Sequence, residues 1–415
     1  MKTIIRRQLP AVALTVVLTI VFLFFGVNRA FYASTLINVF YCVILAVCAL
    51  LLFAVRPWTD AVPVLACTGA LAVTDFLVLR FVRPPLLLVP LLSLFGLSCL
   101  FVLGLRTIWA PAGQRRFLLY AFVPGLLFAI SEYSATTMLE LTGRLHPQTF
   151  DLYIYSFEAS LGAQLSFLLG QTFTRFPWWR LANIVFYVAV PVPMVMAYAG
   201  QLKARGKAAL PVFLAILIAG PLGILCFNLF PAGGPINMLR ASFPRSPLTM
   251  AQAARLLVEP IRVGGWRNAI PSLHMTWVLL AWWNAPGLAR WRRILIGVFV
   301  VFTITSTMGT GEHWFVDLVV AFPFALMIQA LARYDVGLRE GRRWVALAAG
   351  LLMTLGWFAL LRFATPLWWI SPLIGWTAVL ATVVGCLLLV RRLTPTWPPR
   401  TAAGSGKQRP LVATA

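Results

Sequence analysis

Charge is what this sequence has least of: only 11% of its 415 residues are charged and just 11 are acidic, while 61% are hydrophobic. A water-soluble domain carries about a quarter of its residues as charges, so a soluble globule is excluded, in keeping with a mean hydropathy of +0.88. Histidine is scarce as well, with three in the chain, His146, His274 and His313. The 6 cysteines, Cys42, Cys48, Cys67, Cys99, Cys226 and Cys386, lack metal-type spacing. All fall inside apolar runs, where they read as small packing residues. There is no P-loop and no carboxylate cluster that would ask for magnesium. Neither a metal nor a cofactor is expected.

What is present is apolar length. Runs able to cross about 30 Å of hydrocarbon, roughly 20 residues each, recur between short loops that carry Arg, Lys, Pro and Gly. The fold class this predicts is all-α, a polytopic transmembrane helical bundle of about twelve spans. The spans are expected at 10–29, 35–55, 61–82, 85–105, 116–136, 180–200, 209–230, 272–288, 294–310, 313–332, 344–362 and 369–390. A net charge of +23 would suggest nucleic acid in a soluble protein, but in a membrane protein basic residues set orientation. With a cytoplasmic N-terminus, Lys2, Arg6, Arg7, Arg56, Arg106, Arg115, Arg116, Lys203, Arg205, Lys207, Arg290, Arg292 and Arg293 fall inside. So do the 333–343 loop and the tail with Lys407, which places every lysine on one side. Both termini are therefore expected in the cytoplasm, and no nucleic-acid partner is expected. The bias of Arg over Lys and the abundant Ala point to a bacterial inner membrane. A cleaved secretory signal is the other reading of the first run. That run is long for a signal, and Ala30 to Ser34 matches a cleavage site poorly, which favours a retained anchor.

Two outer segments, 137–179 and 231–271, interrupt the hairpin rhythm and are too long to be turns in a compact bundle. The first mixes Glu140, Asp151 and Glu158 with aromatics. It is expected to lie along the interface as an amphipathic or re-entrant segment, most simply as a lipid-surface anchor. The second sets Arg240, Arg245, Arg255, Arg262 and Arg267 against one acid, Glu259, and Arg suits bidentate phosphate recognition. Asp75, Arg80 and Glu132 are charges inside predicted spans, which are functional candidates unless they pair or reach the interface. The expected division is N-terminal membrane helices over 1–136, the outer segment 137–179, a core over 180–335, C-terminal membrane helices over 344–392, and a disordered cytoplasmic tail over 393–415.

Two of the histidines begin predicted helices on the outer side. Residues 267–274 read Arg-Asn-Ala-Ile-Pro-Ser-Leu-His, and residues 306–317 read Ser-Thr-Met-Gly-Thr-Gly-Glu-His-Trp-Phe-Val-Asp. On a helix His313 and Asp317 share a face, so the carboxylate can accept the Nδ1 proton and leave Nε2 free as a nucleophile. A histidine that attacks phosphorus forms a covalent phosphoenzyme. His274 can then protonate the leaving oxygen and later take a proton from the acceptor. Ser272, Ser306, Arg267 and the N–H groups at the start of the eighth predicted span are candidates to hold the phosphate oxygens. Either histidine alone reads more simply as a ring satisfied by a neighbour. The pair, with the His313 to Asp317 spacing, points to chemistry, and the predicted topology brings His274, Ser306 and His313 to the outer leaflet together.

Pro271-Ser272-Leu273-His274, followed by Ser306, His313 and Asp317, resembles the second and third signatures of the type 2 phosphatidic acid phosphatase superfamily. The third is written SRxxxxxHxxxD. Phe230-Pro231-Ala232-Gly233-Gly234-Pro235 is similar to a segment that precedes PSLH in the branch containing inositol phosphorylceramide synthases. The resemblance covers roughly 180–335. It implies His313 as nucleophile, Asp317 as its orienting partner, His274 as acid and base, and Ser272 and Ser306 at the phosphate. It also implies a lipid phosphate or phospholipid substrate in the bilayer. The phosphate-containing group would pass to another lipid, or a lipid phosphate or polyprenyl pyrophosphate would be hydrolysed. Two departures stand out: Thr307 replaces the Arg of the third signature, and no KxxxxxxRP first signature is found. Arg267 and Arg262 are the candidates for the missing cation. A reading from another class, a multi-span lipid transporter or flippase, is suggested by the number of spans and the buried charges. His313 and Asp317 with His274 favour the enzyme.

Overall fold

The structure is a computed structural model that describes residues 35–56, 60–74, 77, 88–245, 248–337 and 339–393. The predicted span 10–29, Asp75, Arg80, the tail from 394 and both termini lie outside the described residues, as does the Glu132 side chain.

The described chain is almost entirely helical. Its first part holds α1 (Thr35–Val55), α2 (Ala61–Thr74), α3 (Leu88–Trp109) and α4 (Ala112–Leu145). The middle holds α5 (Asp151–Ser160), α6 (Leu165–Arg175), α7 (Pro177–Val188), α8 (Pro191–Arg205), α9 (Leu210–Leu229), α10 (Pro235–Leu239) and α11 (Met250–Ala254). Then come α12 (Leu273–Trp283), α13 (Arg290–Gly309), α14 (Phe315–Ala332), α15 (Gly341–Phe363), α16 (Thr365–Trp368) and α17 (Pro372–Leu393). Two short strands, β1 (Gln148–Thr149) and β2 (Ile261–Arg262), pair antiparallel with Gln148 opposite Arg262 and so join the two long segments.

Among the described residues, 6 stretches are long and apolar enough to cross a membrane: Leu91–Trp109, Pro191–Leu229, Arg290–Gly309, Phe315–Ala332, Gly341–Phe363 and Pro372–Leu393. Shorter apolar helices lie at Phe40–Val55 and Ala61–Thr74. A multi-span helical bundle is therefore present, but a count of about twelve is not reached. Two expected spans show why. That at 272–288 is the 11-residue α12, about 16 Å long at 1.5 Å per residue. It ends where the Asn284 amide turns back to the Leu280 carbonyl at 2.8 Å, before Pro286 and a left-handed Gly287 at φ 85°. The span expected at 180–200 divides into α7 and α8 at Pro191, whose ring nitrogen cannot continue the hydrogen-bond ladder.

The central helix is α14. Its sequence is apolar all round, which marks a helix for burial, and nearly every side chain from Val316 to Ala332 is buried. It packs against α9, α12, α15 and α17. Contact with α15 is close at Gly350, where an added Cβ would lie 2.6 Å from the Met327 nitrogen and 2.7 Å from the Pro323 carbonyl oxygen.

Within the outer segment, α5 differs from the lipid-surface anchor expected there. Asp151 and every residue from Tyr153 to Ser160 in α5 are buried, packed against α11, α14, α15, α16 and α17. An anchor would leave one helix face to lipid, whereas α5 has polar partners and aromatic neighbours on all sides.

Because the atoms opposing Gly350 are backbone, they cannot rotate away. Gly350→Leu is expected to part α14 from α15 and cost about 1–3 kcal/mol. The thermal midpoint of the purified protein in detergent should fall, and an unchanged midpoint would show that the two helices are not packed this closely.

Candidate active site

The site forms where the starts of α12 and α14 meet. An α-helix begins with N–H groups that lack partners within the helix, and each of these buried starts finds acceptors elsewhere. Ser272 caps α12 through its Oγ, which accepts from Met275 N–H at 3.3 Å. The Asp317 carboxylate accepts from Trp314 N–H at 2.7 Å, and Glu158 accepts from Phe315 N–H at 3.1 Å. Ser272 N–H donates to the Asp317 backbone carbonyl at 3.1 Å, which ties the two starts together.

His313 lies just before α14, and its backbone N–H reaches the Thr307 carbonyl at 3.1 Å. His313 thus precedes the helix that Asp317 belongs to, and the two side chains still lie close together. Nδ1 of His313 meets the Ala269 carbonyl at 2.8 Å, and the nearer Asp317 oxygen is at 3.6 Å. The ring's direct hydrogen-bond partner is a backbone carbonyl. Asp317 caps the helix and faces the imidazole as a nearby negative charge. Its other oxygen, Oδ1, is buried and has no hydrogen-bond partner.

His274, near the start of α12, stacks on Tyr187 with ring centroids 4.2 Å apart and an interplanar angle of 22°. Phe40 and Trp277 meet it edge-on at 5.7 and 6.1 Å. Across from it stands His313, at 6.0 Å between centroids. Both rings line a cavity of about 480 Å³, within the size range of small-molecule sites. The polar end of this cavity holds His274, His313, Glu312, Asn268 and Trp266, and its body is walled by Phe128, Met194, Ile216, Leu217, Ile224 and Phe227 from α4, α8 and α9. No Arg or Lys is among the described lining residues.

Two carboxylates behind the histidines were missed as site residues. Asp151 accepts from Gly233 N–H, Gly234 N–H and Trp314 Nε1–H, each at 2.9 Å. It thus joins the Pro231 to Pro235 loop to the residue after His313. Gly234 is required there, since its φ is 80° and an added Cβ would collide with the Glu312 carbonyl. Besides Phe315 N–H, Glu158 accepts from Ser166 N–H at 2.6 Å and Ser166 Oγ–H at 3.0 Å. Burial pushes Glu158 up to about 7 against these hydrogen bonds, and burial also raises Asp151 against its own donors. At Glu312 burial again raises the carboxyl, with neighbouring His313 acting the other way. Asp151 and Glu158 are seven residues apart, so they lie on one face of α5. That spacing within an aromatic run was the available signal.

Other residues expected at the phosphate are engaged elsewhere. Arg267 is buried, and its guanidinium points to backbone carbonyls: Nε to His146 at 2.7 Å, one terminal nitrogen to Gly265 at 2.8 Å, the other to Val263 at 2.7 Å. In this arrangement Arg267 clasps the 146–147 loop to the 263–265 loop. Arg262 is exposed on β2 and is not among the cavity's lining residues. The Ser306 hydroxyl donates to the Thr303 carbonyl at 3.3 Å, and Thr307 does the same at 2.7 Å. His146, the third histidine, pairs through Nε2 with the Asn228 Oδ1 at 3.0 Å.

Residues 152–331 match the model of the PAP2 superfamily. The matched stretch begins inside α5 and ends inside α14, so it contains Glu158, Ser272, His274, Ser306, His313 and Asp317. It starts well before residue 180, where the core was expected. No curated protein and no solved structure matches the chain at a significant level.

Arg267 supplies a test of this clasp. Arg267→Lys replaces a fork of donors with one ammonium and leaves buried carbonyls unpaired, at a cost of about 1–3 kcal/mol. A lower thermal midpoint with an unchanged KM is expected of the folded fraction. A raised KM with an unchanged midpoint would return Arg267 to the phosphate.

Proposed function

We propose that the chain is an integral membrane phosphotransferase that moves a phosphate-containing head group between lipids through a phosphohistidine on His313. Release of the same group to water, the phosphatase outcome, differs only in the acceptor. The observation that carries this reading is the pair of imidazoles, 6.0 Å apart between centroids, lining one largely apolar cavity.

A carbonyl oxygen only accepts, so the 2.8 Å contact with Ala269 puts the proton of His313 on Nδ1 and leaves the Nε2 lone pair available. In the first step Nε2 forms a bond to phosphorus as the bond from phosphorus to the leaving lipid alcohol breaks. His274 gives that oxygen its proton. The positive charge gained by His313 is shared through Nδ1–H with the Ala269 carbonyl and with Asp317 at 3.6 Å. In the second step His274 takes the proton of an acceptor hydroxyl, whose oxygen attacks phosphorus as the bond to Nε2 breaks. An anionic phosphate between the rings favours the protonated form of His274 that the first step needs.

Support for transfer comes from the Phe230 to Pro235 segment, held by Asp151 beside the nucleophile, and from the membrane helices on both sides of the matched region. The distribution of basic loops supports cytoplasmic termini and an extracytoplasmic site, and the bias of Arg over Lys with abundant Ala supports a bacterial inner membrane.

His313→Ala is expected to abolish lipid turnover by the purified protein, and full activity would defeat the mechanism. With His274→Ala, lipids whose leaving group is a poor alkoxide should lose about 10²–10⁴ in rate, and an activated aryl phosphate much less. Equal losses would remove His274 from the acid role. Mass spectrometry of the products separates the two outcomes, since release of the phosphate-containing group to water alone, as free head-group phosphate or inorganic phosphate, excludes transfer.

A further inference from the structure

The charge of the cavity runs opposite to that of its proposed cargo. Phosphate sites gather Arg, Lys or helix N-termini, yet the described lining has no Arg or Lys and one carboxylate, Glu312. Glu312 directly precedes the nucleophile, and its carboxylate makes no hydrogen bond or ion pair to a described residue. Burial raises its carboxyl, with His313 acting the other way, so a cation seated beside it would favour the carboxylate form. Aromatic side chains share this cavity with it: Tyr187, Trp266, Trp277 and Phe40 all line it. A carboxylate among aromatic faces is a chemistry that binds cations.

Resting on the phosphotransfer reading, we propose that the donor lipid is a phosphodiester whose head group carries an ammonium, seated against Glu312 and the aromatic faces of Tyr187, Trp266 and Trp277. Such a head group is zwitterionic. Its ammonium offsets Glu312 and its phosphate sits between His274 and His313, so the loaded site gains no net negative charge. A phosphomonoester, or a diester with an uncharged polyol, would set unbalanced negative charge against Glu312 in a medium of low dielectric, where like charges repel strongly. The site thereby selects head-group phosphodiesters over phosphatidic acid.

Full-length protein in dodecyl maltoside micelles, given one lipid at a time, tests this. The probes are phosphatidylethanolamine, phosphatidylcholine, phosphatidylinositol, phosphatidylglycerol and phosphatidic acid. The kcat/KM values for the two ammonium lipids should exceed the other three by about tenfold or more, and Glu312→Gln should collapse that ratio by a similar factor. Equal or better use of the inositol, glycerol or monoester lipid, or a ratio that Glu312→Gln leaves intact, overturns the proposal. Binding of the same lipids to His313→Ala protein, followed by tryptophan fluorescence, is independent of catalysis. If the wild type turns over none of the five, the phosphotransfer reading fails, and the order of binding still decides the head-group claim. Tighter binding of the two ammonium lipids supports it, and any other order refutes it.

Discussion

The site depends on how the buried start of α14 satisfies its backbone N–H groups. With no water in an apolar interior, each unpaired donor costs several kcal/mol, and the chain spends two carboxylates on this one helix end. Asp317 takes the N–H of Trp314 and Glu158 that of Phe315. A third, Asp151, takes the Trp314 indole N–H together with two glycine N–H groups of the loop opposite. Holding Trp314 at both its backbone and its ring leaves the preceding residue, His313, little freedom. Its imidazole meets the Ala269 carbonyl because the segment before α12 is tied in turn to Asp317 through Ser272. Structural satisfaction and positioning of the His313 ring are thus one arrangement.

The same economy explains the cavity. Polar groups near the histidines are mostly consumed by their own helices, as with the hydroxyls of Ser306 and Thr307. What remains facing the space is two imidazoles, Asn268, one carboxylate, aromatic faces and a long apolar body. That body suits acyl chains and the polar end suits a head group, so a lipid would lie with its reactive phosphorus at the polar boundary.

Much of this was legible in the sequence. The pairing of His274 with His313 followed from two short strings, since each is fixed by a helix start within the same chain segment, and most long apolar runs became helices close to their expected limits. Orientation of side chains was not legible. Arg267 carries the charge a phosphate needs, but nothing in its neighbours shows that carbonyls from two loops close around it. The Asp317 partnership was inferred from helical spacing, while His313 stands two residues before the first helical residue, Phe315, where the Ala269 carbonyl at 2.8 Å is nearer than the Asp317 carboxylate at 3.6 Å. Hydropathy also misjudged burial. It treats lipid and protein interior as one apolar medium, so the short α12 passed as a span, and α5, with its two acids, passed as a surface segment.

The central claim is that His313 carries the phosphate-containing group between the two half-reactions. It is tested most directly by quenching the working enzyme in alkali, which preserves phosphorus–nitrogen bonds, with a donor lipid radiolabelled at phosphorus, and then mapping the label by peptide mass spectrometry. The account predicts label on His313, lost on acid treatment and absent from His313→Ala protein. Turnover with no label on the protein, or with label on another residue, would contradict it.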